Sequence, residues 1–162
     1  MKKLSLTLLT CLLFLSPNVV LSETMKDLVK RDGLYYKKFS DVPFSGVTTG
    51  IEQITFKNGK RDGAHIRYYD NGQLWFKGNN KNGERDGASV SYWDNGQLKS
   101  KGDLKNGEEE GAWVSYYENG ELFSKGNWKN GNREGAFVAY YKDGTVWEKG
   151  TGTYKNGNKI SY

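Results

Sequence analysis

The sequence has few of the residues from which catalytic and metal sites are usually built. Its 162 residues include one cysteine, one histidine and two prolines. The cysteine, Cys11, sits in an apolar N-terminal run. The rest of the chain therefore offers no thiolate nucleophile, no thiolate metal site and no disulfide. With His65 as the only imidazole, no Ser-His-Asp or Cys-His set can be assembled. No zinc-ligand spacing occurs, and no GxxxxGK[ST] phosphate loop. The expectation is a protein that is not an enzyme and carries no metal or cofactor.

Aliphatic residues are also scarce. The hydrophobic fraction is 36%, while glycine contributes 21 residues and aromatics 14%. Such a chain folds, but burial has to come from rings lying on a sheet and not from a thick Leu/Ile/Val core. The formal net charge is +5. Lys2 and Lys3 lie in a segment expected to be removed, which leaves about +3. A mild positive charge permits attraction to an anionic surface without requiring it, and no nucleic-acid partner is expected.

The first 22 residues differ from all that follow. Lys2 and Lys3 precede an apolar run from Leu4 to Leu15, Pro17 breaks any helix, and Val20-Leu21-Ser22 ends in a small residue. This is the pattern of a secretory signal peptide cleaved near Ser22/Glu23, and the run is short for a membrane span. The expected location is the periplasm, the cell envelope or the exterior.

Beyond that segment the chain repeats itself every 24 residues. Gly63, Gly87, Gly111 and Gly135 each follow an acid (Asp62, Asp86, Glu110, Glu134) and precede an alanine. Aromatic pairs come next, at 68–69, 92–93, 116–117 and 140–141. A glycine follows at 72, 96, 120 and 144, then Leu74, Leu98, Leu122 or Val146. Lys-Gly recurs at 77–78, 101–102, 125–126 and 149–150, and Lys-Asn-Gly from 57–59 to 129–131, returning at 155–157 after an apparent insertion of Thr151-Gly152. Short aromatic and β-branched strands separated by Asn-Gly signals describe hairpins. The predicted fold is all-β: an elongated, single-layer antiparallel β-meander, solenoid-like in its tandem repetition. Residues 1–22 are read as the signal, 23–33 as a loosely ordered linker, 34–61 as a degenerate capping repeat, 62–159 as four hairpin repeats, and 160–162 as a tail.

Alternation along each strand separates two faces. Ala64/Ile66/Tyr68 recur almost unchanged as Ala88/Val90/Tyr92, Ala112/Val114/Tyr116 and Ala136/Val138/Tyr140. The opposite positions vary: His65/Arg67, Ser89/Ser91, Trp113/Ser115, Phe137/Ala139. The uniform face is expected to be the structural side. A three-residue turn with a bulge at Gly72 would set Leu74 opposite Tyr68; a two-residue turn would put Leu74 on the other face. Asn82-Gly83 is read as opening a longer loop to the next unit.

Units such as 110–131 resemble the variant MORN repeat, and the array over about 34–159 resembles bacterial YwqK-family antitoxins of toxin–antitoxin systems. The resemblance implies an elongated scaffold, with partner binding, self-association or contact with anionic lipid among the family's attributed roles. Two features are candidates for binding. One is a surplus of rings, Tyr69, Trp75, Trp93, Trp113, Tyr117, Phe123, Tyr141 and Trp147, which form either an exposed face or a structural ladder. The other is a column of cations, Lys77, Lys101, Lys125 and Lys149, spaced about 9.5 Å apart if one unit is two strands. It is either an anion-contact row or a solubilising face. The functional expectation is a non-enzymatic exported scaffold binding a protein, envelope polymer or lipid headgroup. The alternatives are an antitoxin or immunity protein and a carbohydrate-binding wall module.

Overall fold

The structure, a computed structural model, describes residues 22–161. The apolar leader and Cys11 fall outside that range, apart from Ser22. A 3-10 turn, Met25–Asp27, leads into β1 (Leu28–Arg31) and β2 (Leu34–Lys37), a separate two-stranded hairpin. The remaining strands form one antiparallel sheet. They are β3 (Gly46–Val47), β4 (Glu52–Lys57), β5 (Lys60–Tyr68), β6 (Leu74–Lys81), β7 (Glu84–Arg85), β8 (Gly87–Tyr92), β9 (Leu98–Lys105), β10 (Glu108–Tyr116), β11 (Leu122–Lys129), β12 (Asn132–Ala139), β13 (Gly152–Lys155) and β14 (Asn158–Ser161). Sequence neighbours pair throughout, and β7 and β8 both pair with β6 across a break at Asp86. The sheet is an open meander with β3 and β14 at its two ends.

The two turn signals make two kinds of hairpin. At Asp70-Asn71-Gly72 the Tyr69 amide donates to the Gln73 carbonyl at 2.8 Å, the Gly72 amide donates to Tyr69, and Gly72 has φ +83°. Leu74 therefore pairs opposite Tyr68, as the bulged turn requires. A further irregularity at Trp75 then sets Phe76 opposite Arg67 and Lys77 opposite Ile66. Lys-Asn-Gly behaves differently from its expected role as a longer loop. Lys81 pairs directly with Glu84, and Asn82 and Gly83 have φ of 53° and 103°, so this is a two-residue turn with both central residues left-handed. Three of the four strands, β5, β10 and β12, thus run through the acid-Gly column instead of starting after it, and β8 starts at its glycine.

Residues 23–33, expected to be a linker, are ordered. The Thr49 amide donates to the Glu23 carbonyl at 2.7 Å, Lys37 pairs with Glu23, and β1 and β2 close on an Asp32-Gly33 turn. Apolar Leu28, with Met25 and Tyr35, gives this hairpin something to bury. It packs with Phe44 against Ile54 and Phe56 on β4, and Ile54 is fully buried. At the other end a second cluster gathers Phe137, Ala139 and Tyr154, with Trp128 and Trp147 against it. The Thr151-Gly152 insertion is visible here. The segment at Trp147–Gly150 turns instead of running as a strand, with the Gly150 amide donating to Trp147, and β13 takes the place beside β12.

These two clusters decide which face is covered. Ile54 pairs opposite His65, and Phe137 continues the same row, so both caps sit on the variable face. His65 is 3% exposed, Phe137 is 3% and Ala139 is 1%, whereas the recurring alanines of the uniform face are exposed. The expectation that the uniform face is the structural side is reversed.

Candidate functional site

The variable face holds together by alternating a side chain with a glycine. His65 pairs opposite Gly78, Ser89 opposite Gly102, and Trp113 and Phe137 both opposite Gly126. The Trp113 indole also lies over Gly102, where an added Cβ would overlap the ring, and the Phe137 ring likewise fills the space above Gly126. The Lys-Gly glycines are thus the floor on which rings rest. Where Ile54 replaces that glycine, its own side chain does the filling. Hydroxyl pairs Ser91–Ser100 and Ser115–Ser124, each at 2.7 Å, close the next row.

His65 is buried in this face. Its Nε2 lies 3.2 Å from Glu52 Oε1, and because a carboxylate only accepts, Nε2 is the donor. Its ring meets Phe76 at 5.2 Å, and Nδ1 is buried without a hydrogen-bond partner. Burial holds the imidazole below its ordinary pKa. The hydrogen bond and charge of Glu52 oppose that shift, and the Arg61 and Arg85 charges reinforce it. This is a packed histidine, held by Glu52 and Phe76. Among the described residues no cluster of three or more His, Cys, Asp or Glu could hold a metal ion.

Most of the candidate rings lie at the bulged-turn end of the sheet, and three of them, Tyr69, Trp93 and Tyr117, bind one unit to the next. Tyr69 Oη donates to the Tyr92 carbonyl at 2.9 Å, Trp93 Nε1 to Tyr116 at 3.2 Å, and Tyr117 Oη to Tyr140 at 2.8 Å. Tyr69 packs on Trp75, Tyr117 on Phe123 and Tyr141 on Trp147, while Lys99 replaces a ring and sets its ammonium 4.1 Å from the Trp93 centroid. Trp113 stands apart, over Gly102, with Nε1 donating to Asp103 at 2.9 Å. The structure therefore gives these rings the ladder geometry. Partial desolvation, with Asp94 and Glu118 nearby, holds the Tyr69 phenol above its usual pKa.

The acid column has a related task that sequence reasoning missed. Asp62 accepts from the Asn82 amide at 3.1 Å, Glu110 from Asn130 at 3.0 Å and Glu134 from Asn156 at 2.8 Å. Each of these three carboxylates caps the two-residue turn that leads into the next unit. The offset between acid and Asn, 20 residues in two units and 22 across the insertion, was the available signal.

The open face is different in kind. The cross-strand registers set Ile66, Lys77, Val90, Lys101, Val114, Lys125 and Val138 in one row across the sheet. Beside it runs a second row in which Ala64 faces Asn79, Ala88 faces Asp103 and Ala112 faces Asn127. Together they line a groove of about 1080 Å³. Lys77, Lys101 and Lys125 are exposed, and among the described residues none of the three has an ion-pair partner. Lys149, expected in the same column, falls in the turn displaced by the insertion and leaves the row.

Three tandem segments, 61–82, 85–106 and 109–130, match the MORN repeat variant. MORN repeats are generally protein- or membrane-binding modules. The matched segments carry β5 to the start of β12's turn and include all three row lysines. A search of curated proteins found no match.

Proposed function

We propose that this chain is an exported, non-enzymatic scaffold that holds a protein or envelope component against its Ala/Val/Lys face. The observation that carries this reading is the placement of the two caps. Both terminal clusters cover the variable face, so the middle of the opposite face keeps exposed alanines, half-buried valines and three unpaired ammonium groups. An unpartnered apolar strip on which three exposed lysines outnumber one acid, Asp103, favours a complementary surface over bulk solvent. Tyr69, Trp93 and Tyr117 are engaged between units and none of the candidate rings but Trp113 lines the groove, which favours a protein partner over a carbohydrate there. Export is inferred from the leader sequence alone.

The test combines fractionation with crosslinking. A photoreactive residue at Ala112 reports on the groove, and one at Thr145 reports on an exposed turn away from it. The expected result is a chain beginning near Glu23 outside the cytoplasm, with a discrete adduct from position 112 and none from 145. A full-length cytoplasmic chain would replace the export reading with the antitoxin one. Adducts from 145 alone would remove the groove from consideration.

A further inference from the structure

We propose that the groove reads an extended acidic segment of a partner protein, held in the polyproline II conformation with a carboxylate at every third residue. This rests on the Ala/Val/Lys face being the binding face. The argument is one of period. Lys77, Lys101 and Lys125 lie on β6, β9 and β11, each separated from the next by one intervening strand position. Strand spacing therefore places successive ammonium groups about 9.5 Å apart. A polyproline II chain has three residues per turn and rises about 3.1 Å per residue, so side chains of one face recur about every 9.3 Å. The two periods stay in step across all three lysines. A β-strand turns its third residue to the opposite face. A helix brings every seventh residue round at about 10.5 Å, and is about 2 Å out of step by the third lysine.

The neighbouring row supports the same occupant. Polyproline II leaves its backbone N–H and C=O groups without internal partners. Asn79, Asp103 and Asn127 are exposed beside the lysine row at the same interval, and among the described residues their side-chain polar atoms have no protein hydrogen-bond partner. The Asn amides supply a donor and an acceptor, and Asp103 an acceptor, at each turn of such a chain. A helix, whose backbone is already satisfied, has no use for them. The alanine floor lets a thin chain lie close, with its apolar residues between Val90, Val114 and Val138.

The probe is a fluorescent peptide of Glu-Pro-Pro repeated four times, read by anisotropy against the purified processed chain. Its comparator is Glu-Pro-Pro-Pro repeated four times, with the same number of carboxylates at a period of about 12.4 Å. The expected result is binding of the first peptide roughly tenfold or more tightly than the second, because the second can satisfy one lysine at a time. Lys101→Gln should weaken it about threefold to fivefold, and the Lys77, Lys101 and Lys125 triple Gln variant should multiply those losses. The thermal melts of these variants should match the parent's. Equal affinity for the two peptides, or an unchanged affinity in Lys101→Gln, overturns the proposal. So does lysine-dependent retention on phosphatidylglycerol vesicles with no peptide binding, which would make the face a headgroup surface. A position-112 adduct alongside equal peptide affinities would retain the binding face and remove the acidic ladder; absence of both would remove both.

Discussion

The indole of Trp113 covers Gly102 on the neighbouring strand and donates from Nε1 to the carbonyl of Asp103 at 2.9 Å. The side chain varies between units at this position while the glycine does not. The reason is steric. A missing Cβ leaves room that a histidine, serine, tryptophan or phenylalanine can fill, and once a ring is there the room is gone.

Gly102→Ala should therefore destabilise the protein by about 1–3 kcal/mol, the usual cost of overpacking. In a Trp113→Ser background, which installs the residue of the preceding unit, the same change should cost much less. Urea midpoints of the four proteins in that cycle check it. An equal cost in both backgrounds would mean that the glycine matters for its backbone and not for the ring above it.

The acid column should behave as a set of links between units. Glu134→Ala leaves the Asn156 amide without its carboxylate and should cost about 0.5–1.5 kcal/mol. Because Asn156-Gly157 joins β13 and β14, the loss should appear first in faster hydrogen exchange of those two strands, with β5 and β6 unaffected. Uniform acceleration across the sheet would count against a local link.

His65 gives the fold a pH dependence with a definite sign. Burial lowers its folded pKa below the unfolded value near 6.5, so the unfolded chain takes up a proton more readily. Its contribution is complete above about pH 6.5 and is lost progressively as the pH falls below that. The denaturation midpoint of the parent should drop between pH 7.5 and 5 by more than that of His65→Gln, which keeps a donor for Glu52. Identical pH profiles would show that the imidazole is not carrying the effect.

Deleting residues 87–110 removes one 24-residue unit and joins Asp86 to Gly111 in register. Both end clusters lie outside the deleted segment. The shortened chain should remain folded and melt cooperatively at a lower temperature, as expected when stability sums over units and their interfaces. A variant with no thermal transition would mean that this unit is indispensable.

Much of this architecture is readable from residues alone. Each unit carries its own turn chemistry, and positive φ at Gly72 and at Asn82-Gly83 follows from residue type. The constant Leu74 column pointed to the bulged turn, and Leu74 does pair with Tyr68. The acid-to-turn links were harder to see because they join residues 20 or more positions apart. Residues 23–33 read as a linker because their charges outnumber their apolar residues. Leu28 and Met25 find their partners in Phe44, Ile54 and Phe56 only once the chain is folded.

The sequence by itself determined the repeat, the hairpin and the two sets of side chains, because turn preference and alternation are local properties. Which set faces solvent was not determined locally. A period of two distinguishes the faces of a strand and is silent on which one is buried. That was decided by the two ends, where the β1–β2 hairpin and the Trp147–Tyr154 segment fold over the variable face. Tertiary packing placed the aromatic rings between units and over glycines, and left the small residues and three lysines as the open surface.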